Sequence, residues 1–110
     1  MQRHLLTDFE LMILLAILRS GGDAYGMRIA VEIERTGGRP VTIGAVYAAL
    51  DRLERNGMVT SAVGDPTPER GGRAKRFFDV TPRGLRAVKQ TRTALVALWT
   101  DVPQLREKRA

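Results

Sequence analysis

The sequence predicts a mainly α-helical fold with one small β-hairpin and a long final helix. Three observations carry that expectation. Apolar residues recur at helical spacing in three stretches before residue 57, residues 58–81 switch to β-forming composition, and one apolar stripe runs from Leu85 to Val102. At 110 residues the chain is one domain with room for a modest core, small enough to gain from a partner subunit.

The first helix is written at residues 8–19. Thr7-Asp8-Phe9-Glu10 is a T-x-x-E capping box, in which the Thr hydroxyl and the Glu carboxylate each satisfy a free N–H of the first turn. Ser20-Gly21-Gly22 ends the helix. Phe9, Leu11, Met12, Ile13, Leu14, Leu15, Ile17 and Leu18 leave it almost no polar face. A helix apolar all round is buried on more than one side, and in a domain this small the second side points to another subunit. Leu11, Leu14, Leu15 and Leu18 are the residues expected there. Asp23 is the expected cap of a second helix over residues 24–36, with Ile29, Ala30 and Ile33 inward and Arg28, Glu32 and Arg35 outward. Gly37-Gly38 ends it, and Arg39-Pro40-Val41 leads on in extended form.

The third helix organises the rest. Thr42 is placed to cap it and Gly57, after Asn56, to stop it in the left-handed conformation. At about 100° per residue, Ile43, Val46, Leu50 and Leu53 fall on one face and Gly44, Ala45, Ala48, Arg52 and Arg55 opposite. The outward face is small in its first half and cationic in its second. Such a helix can bring its backbone close to a large anionic surface, and the major groove of DNA is one. The bland alternative is a surface helix with solvated arginines.

Residues 58–81 favour the first of these two readings. Met58–Val63 and Lys75–Thr81 read as two strands, with Phe77 and Phe78 on opposite faces, and residues 64–72 between them are turn formers. The descending arm carries Arg70, Arg73, Lys75 and Arg76 within seven residues. A basic hairpin just after a groove-reading helix is a wing positioned to grip phosphates. Two helices, a short connection and such a wing define a winged helix-turn-helix.

Thr81-Pro82 restarts a helix, Thr as cap and Pro in the first turn, and Pro103 is the expected stop. Leu85, Val88, Leu95, Val96, Trp99 and Val102 share one stripe, which predicts packing on another helix. Arg92, in the middle of that stripe, reads as a snorkelling or cross-subunit paired side chain. The expected division is therefore a winged helix-turn-helix over 1–81 and a dimerisation helix with its tail over 82–110.

Composition narrows the function. A hydrophobic content of 44% excludes a disordered chain. The net charge of +6 is concentrated: residues 1–36 carry four Arg against five acids, whereas residues 37–92 carry eleven cations against five acids. A one-sided basic segment points to a polyanion. No cysteine is present and His4 is the only imidazole, read as an exposed residue of the arm, so thiolate or His-cluster metal sites and His-based triads are out of reach. No phosphate loop or nucleophile-base pairing supports an enzyme, and no cofactor is implied. The apolar run Leu11–Leu18 is too short to span a membrane, and Asp8 and Glu10 interrupt any signal-peptide pattern, so a cytoplasmic protein is expected.

The ordered motifs Tyr25-Gly26, Thr42-Ile43-Gly44-Ala45-Val46-Tyr47, L-x-R-L-E-x-x-G over Leu50–Gly57, Gly71-Gly72-Arg73, Thr81 and Gly84 resemble the PadR family of bacterial transcriptional regulators across residues 5–100. The resemblance implies a dimeric winged-helix repressor, held together by its C-terminal helix and often released from its operator by a small aromatic or drug-like effector; the leading function expected is a homodimeric repressor that reads an inverted repeat. It places Thr42 and Tyr47 at the DNA backbone and Arg73 at the wing. The chain departs from the family pattern at Ala48, where the family has Pro, and at Phe77-Phe78, where a Tyr-rich pair is usual. Its length resembles the short subgroup. The residues themselves add Arg52 and Arg55, assign Gly44, Ala45 and Ala48 to the groove floor, and put Lys75 and Arg76 at phosphates. Leu85, Val88, Arg92, Leu95, Val96 and Trp99 are expected in the dimer seam. Trp99, the only tryptophan, with Leu95 and Val96, is the expected wall for a planar effector. A protein-interaction module that uses the same basic face for an acidic partner is the competing function. A steep salt dependence and preference for one duplex separate the two.

Overall fold

The computed structural model describes residues 5–64 and 75–106. Helices α1 (Asp8–Arg19), α2 (Gly26–Gly37) and α3 (Ile43–Arg55) are followed by strands β1 (Val59–Val63) and β2 (Arg76–Val80), helix α4 (Pro82–Trp99) and a 3-10 turn at Pro103–Leu105. The strands pair antiparallel, Val59 opposite Val80 and Val63 opposite Arg76. The core lies where α1, α2 and α3 cross and where β2 and α4 close over α1; Ile13, Leu14, Ile29, Val46, Leu50, Leu53, Met58 and Phe78 fill it.

Several boundaries follow from local chemistry as expected. Thr7 and Glu10 form the full capping box of α1, with Glu10 N–H donating to Thr7 Oγ1 at 3.2 Å and Thr7 N–H donating to Glu10 Oε1 at 2.9 Å. Gly57 takes φ 75° after Asn56 and turns the chain from α3 into β1. Thr81 ties α4 to that turn. Its N–H donates to the Met58 carbonyl at 3.0 Å, its hydroxyl donates to the Gly57 carbonyl at 2.6 Å, and it accepts the Gly84 N–H at 3.0 Å.

Other expectations are corrected. Asp23 does not cap α2; Tyr25 occupies the cap position without a side-chain bond, and Asp23 instead pairs with Arg28 at 3.0 Å. The cause is strand pairing: the Ala24 carbonyl accepts the Phe78 N–H at 2.8 Å and Tyr25 bridges to Phe77, which holds this segment extended. Glu32, expected outward, is half-buried and pairs with Arg19 on α1 at 2.8 Å. Ile43 is exposed rather than buried, and Ala49, not read as inward, is fully buried. Helix α4 ends at Trp99, short of Pro103. A residue before proline is pushed out of helical space, and Val102 is extended at φ −95°, ψ 108°, so it leaves the apolar stripe.

Candidate nucleic-acid interface

Helix α3 is seated by Val46, Ala49, Leu50 and Leu53, all fully buried, and capped by Thr42, whose Oγ1 accepts the Ala45 N–H at 3.1 Å. Seating on that face leaves Gly44, Ala45, Ala48, Arg52 and Arg55 exposed together on the other. At Gly44 even an added Cβ would meet nothing within 4 Å. Arg52 and Arg55 have no carboxylate within ion-pair distance among the described residues. The helix therefore offers a low-relief surface followed by two exposed guanidinium groups.

Tyr47 sits on the flank, 37% exposed, with its ring laid across the start of α2. A Cβ at Gly26 would lie 2.5 Å from both Tyr47 Cζ and its hydroxyl oxygen, which is the physical reason that glycine follows Tyr25. Tyr47 thus packs against α2 while still reaching solvent.

The two cations of the wing strand both meet side chains of their own chain. Lys75 places its ammonium 3.7 Å from the centroid of the Tyr25 ring, and Tyr25 meets Phe77 edge-on at 5.9 Å. Arg76 turns toward α3, where it pairs with Glu54 and lies 3.6 Å from Asp51. Both side chains are engaged by their own chain rather than presented as free cations. Sequence reading missed Asp51 and Glu54 as partners; two acids three residues apart on the helix that precedes a basic strand were the available signal. Arg70 and Arg73 of the wing lie outside the described residues.

A second set of expected residues borders α1 and α4. Leu14 is fully buried within its own chain and cannot meet a second copy, and Val88 is also buried. The fold itself covers both: α1 packs on α2, α3, β2 and α4, and α4 packs on α1 and β2. Leu15, Leu18, Leu85, Leu95, Val96 and Trp99 remain exposed, Leu11 is half-buried and Arg92 is exposed. Leu98, not singled out from sequence, is 77% exposed beside them. A groove of about 440 Å3 runs between α1 and α4, lined by Leu5, Leu11, Met12, Leu15, Leu95 and Leu98 among others. A hollow of about 290 Å3 is bounded by Leu95, Val96, Trp99 and Thr100. No described helix is long and apolar enough to cross a membrane.

A helical trio, an antiparallel wing fastened beside its third helix and a long helix after the wing define a winged helix-turn-helix regulator. The chain belongs to the transcriptional regulator PadR-like family, which matches residues 14–90. That is a family of transcriptional regulators, not of enzymes. Transcriptional regulator Rv3488 of Mycobacterium tuberculosis is 35% identical over 82 residues, 73% of this chain and 70% of that protein. Among solved structures, a PadR-like transcriptional regulator from Bacillus cereus has the same fold at TM-score 0.71 and 19% identity, over 92% of this chain and 93% of that one. A transcriptional regulator from Clostridium thermocellum superposes at TM-score 0.69 and 22% identity, over 89% and 92%.

Proposed function

We propose that the protein is a homodimeric, sequence-specific repressor that reads an inverted-repeat operator with α3 in the major groove. The observation that carries this reading is the face of α3 itself. Gly44, Ala45 and Ala48 let the backbone approach base edges, where a methyl can meet thymine, and Arg52 and Arg55 supply exposed cations at the end of the same face. In this reading Thr42 and Tyr47, at the two edges of that face, contact backbone phosphates, and Arg73 contributes from the wing.

The dimer in this proposal forms through Leu11, Leu15 and Leu18 of α1 and Leu85, Arg92, Leu95, Val96 and Trp99 of α4, so that residues 1–81 read DNA and 82–110 set the spacing of two copies. The exposed apolar side chains on these two helices support it, since a contiguous apolar patch is costly to leave in water. A planar aromatic effector stacking on Trp99, against Leu95 and Val96, would change the angle between two long helices and hence the separation of the two recognition helices.

The test begins with sequencing the DNA that the purified protein retains from a genomic library. Binding to the recovered duplex is then compared with binding to random competitor for wild type, Arg52→Ala and Arg73→Ala. Arg52→Ala is expected to cost about 1–3 kcal/mol and relax preference at one position, whereas Arg73→Ala weakens all duplexes and lowers the salt slope by about one unit. Binding by both variants with wild-type affinity, preference and slope would overturn the reading. Salt-sensitive binding of acidic proteins with no duplex preference would replace it with the interaction-module function.

A further inference from the structure

Three elements meet at the side chain of Arg76. It opens β2 opposite Val63 and lies on the same strand face as Phe78, whose ring centroid is 4.9 Å from the guanidinium carbon. The guanidinium pairs with Glu54 and stands 3.6 Å from Asp51, both in the second half of α3. Its Nε donates to Ser61 Oγ on β1 at 3.1 Å, and the Ser61 hydroxyl in turn donates to Glu54 Oε2 at 2.7 Å. The rigid fork of an arginine is thus spent on the recognition helix and on both strands of the wing at once.

We propose that Arg76 is a positioning residue for DNA binding: it fixes the angle of the wing to the recognition helix and is not itself a phosphate ligand. This rests on the reading of α3 and the wing as the DNA-contacting elements. Turning Arg76 out to a phosphate would break charge-assisted bonds at a half-buried site and leave Asp51 and Glu54 facing a polyanion without their cation. Keeping it in place holds the loop end of the strand ladder against α3 and neutralises those two acids. Beyond the core contacts of Phe78 and the backbone turn at Gly57, Arg76 makes the only ion pairs among the described residues that join β2 to α3. A wing that tilts by a few degrees at its root misplaces its tip relative to phosphates on a rigid duplex, so affinity depends on a residue that touches no DNA.

The roles of ligand and strut differ in sign at Glu54. If Arg76 were a phosphate ligand, Glu54→Gln would free it and remove a negative charge near DNA, so binding would tighten. If Arg76 is a strut, Glu54→Gln weakens binding in spite of that lost charge. The experiment is a double-mutant cycle of Arg76→Gln and Glu54→Gln, read as Kd for the recovered operator duplex across a salt series, with thermal unfolding of each variant alongside. Each single variant is expected to weaken binding about fivefold or more, the double variant no more than either single, and the slope of log Kd against log salt to stay at the wild-type value. Should Arg76→Gln fail to fold, Arg76→Lys, which keeps the cation and loses the fork, takes its place in the cycle with the same expected outcome.

Tighter binding by Glu54→Gln, or a slope lowered by about one unit in Arg76→Gln, would overturn the proposal and make Arg76 a phosphate contact. Folded variants with lowered melting temperature and unchanged Kd would also overturn it, leaving the pair a matter of stability alone. Wild-type protein that binds no duplex would sink the α3 reading and this proposal together, whereas a wild type that binds specifically with a tighter Glu54→Gln would sink only the strut.

Discussion

Adding one methyl group at Gly84 sets two opposing effects against each other, and the structure decides between them. Alanine is the better helix former by about 1 kcal/mol, and Gly84 lies in the first turn of α4, so propensity alone favours Gly84→Ala. A Cβ there, however, would stand 2.2 Å from the Met58 carbonyl oxygen and 2.9 Å from Val80 Cγ1. The first contact is backbone and cannot rotate away. Ordinary van der Waals separation requires α4 to retreat by more than about 1 Å. That retreat stretches the Thr81 N–H bond to Met58, now 3.0 Å, and the Thr81 hydroxyl bond to Gly57, now 2.6 Å. Two weakened hydrogen bonds at about 0.5–1.5 kcal/mol each, with overpacking at about 1–3 kcal/mol, exceed the propensity gain and leave a net loss of about 3 kcal/mol. Urea unfolding at fixed protein concentration checks it: the midpoint falls and the slope m stays the same. A Gly84→Ala variant as stable as wild type would refute the close seating of α4 on the turn at Gly57-Met58.

Leu95→Asp is expected to keep the single-chain fold, because Leu95 is half exposed there, but to convert dimer to monomer; equal sedimentation of wild type and variant would contradict the proposed seam. Planar aromatic compounds that relieve operator binding are expected to change Trp99 emission and to lose potency in Trp99→Leu, and compounds that act equally on both proteins without touching the emission would place the effector elsewhere. Glu32 is held below the usual carboxylate range, first by the Thr36 hydroxyl and then by Arg19, so its contribution to stability is present above that range and lost as pH falls through it. The stability gap between wild type and Glu32→Gln should accordingly be constant near neutral pH and close in acid; a gap that widens in acid would contradict the sign.

Features that are decided within a few residues were legible in the sequence. Thr7 with Glu10, Thr42 with Gly57, and Thr81 with Pro82 each settle a helix boundary by short-range hydrogen bonding or φ preference, and the structure has each boundary there. What escaped was decided by distant partners. Asp23 loses the cap position because Phe77 and Phe78 draw residues 24 and 25 into strand pairing. Thr91 gave no signal on α4, yet it is buried because its Oγ1 accepts the Leu6 N–H at 3.0 Å across 85 residues. Leu14 could not be sorted from Leu15 by periodicity, since a helix apolar all round does not state which side its own fold will cover.

The candidate site divides the same way. The small and cationic face of α3 follows from helical spacing and stands exposed as read. The inward turn of Arg76 depends on Glu54, 22 residues earlier, and no local pattern on the strand could show it. Gly26 and Gly84 were marked only by resemblance, and packing supplies their reasons: the Tyr47 ring against one and the Met58 carbonyl against the other.

The proposed regulator must meet DNA through the small face of α3, and Ala48→Glu tests that contact directly. Ala48 is exposed and makes no core contact, so a glutamate there leaves the fold and its melting temperature unchanged. Against a groove lined with phosphates the new carboxylate costs several kcal/mol, about a hundredfold or more in Kd for the recovered operator duplex. Loss of operator binding by a folded Ala48→Glu protein is the expected result. Wild-type affinity in the same titration would contradict the claim.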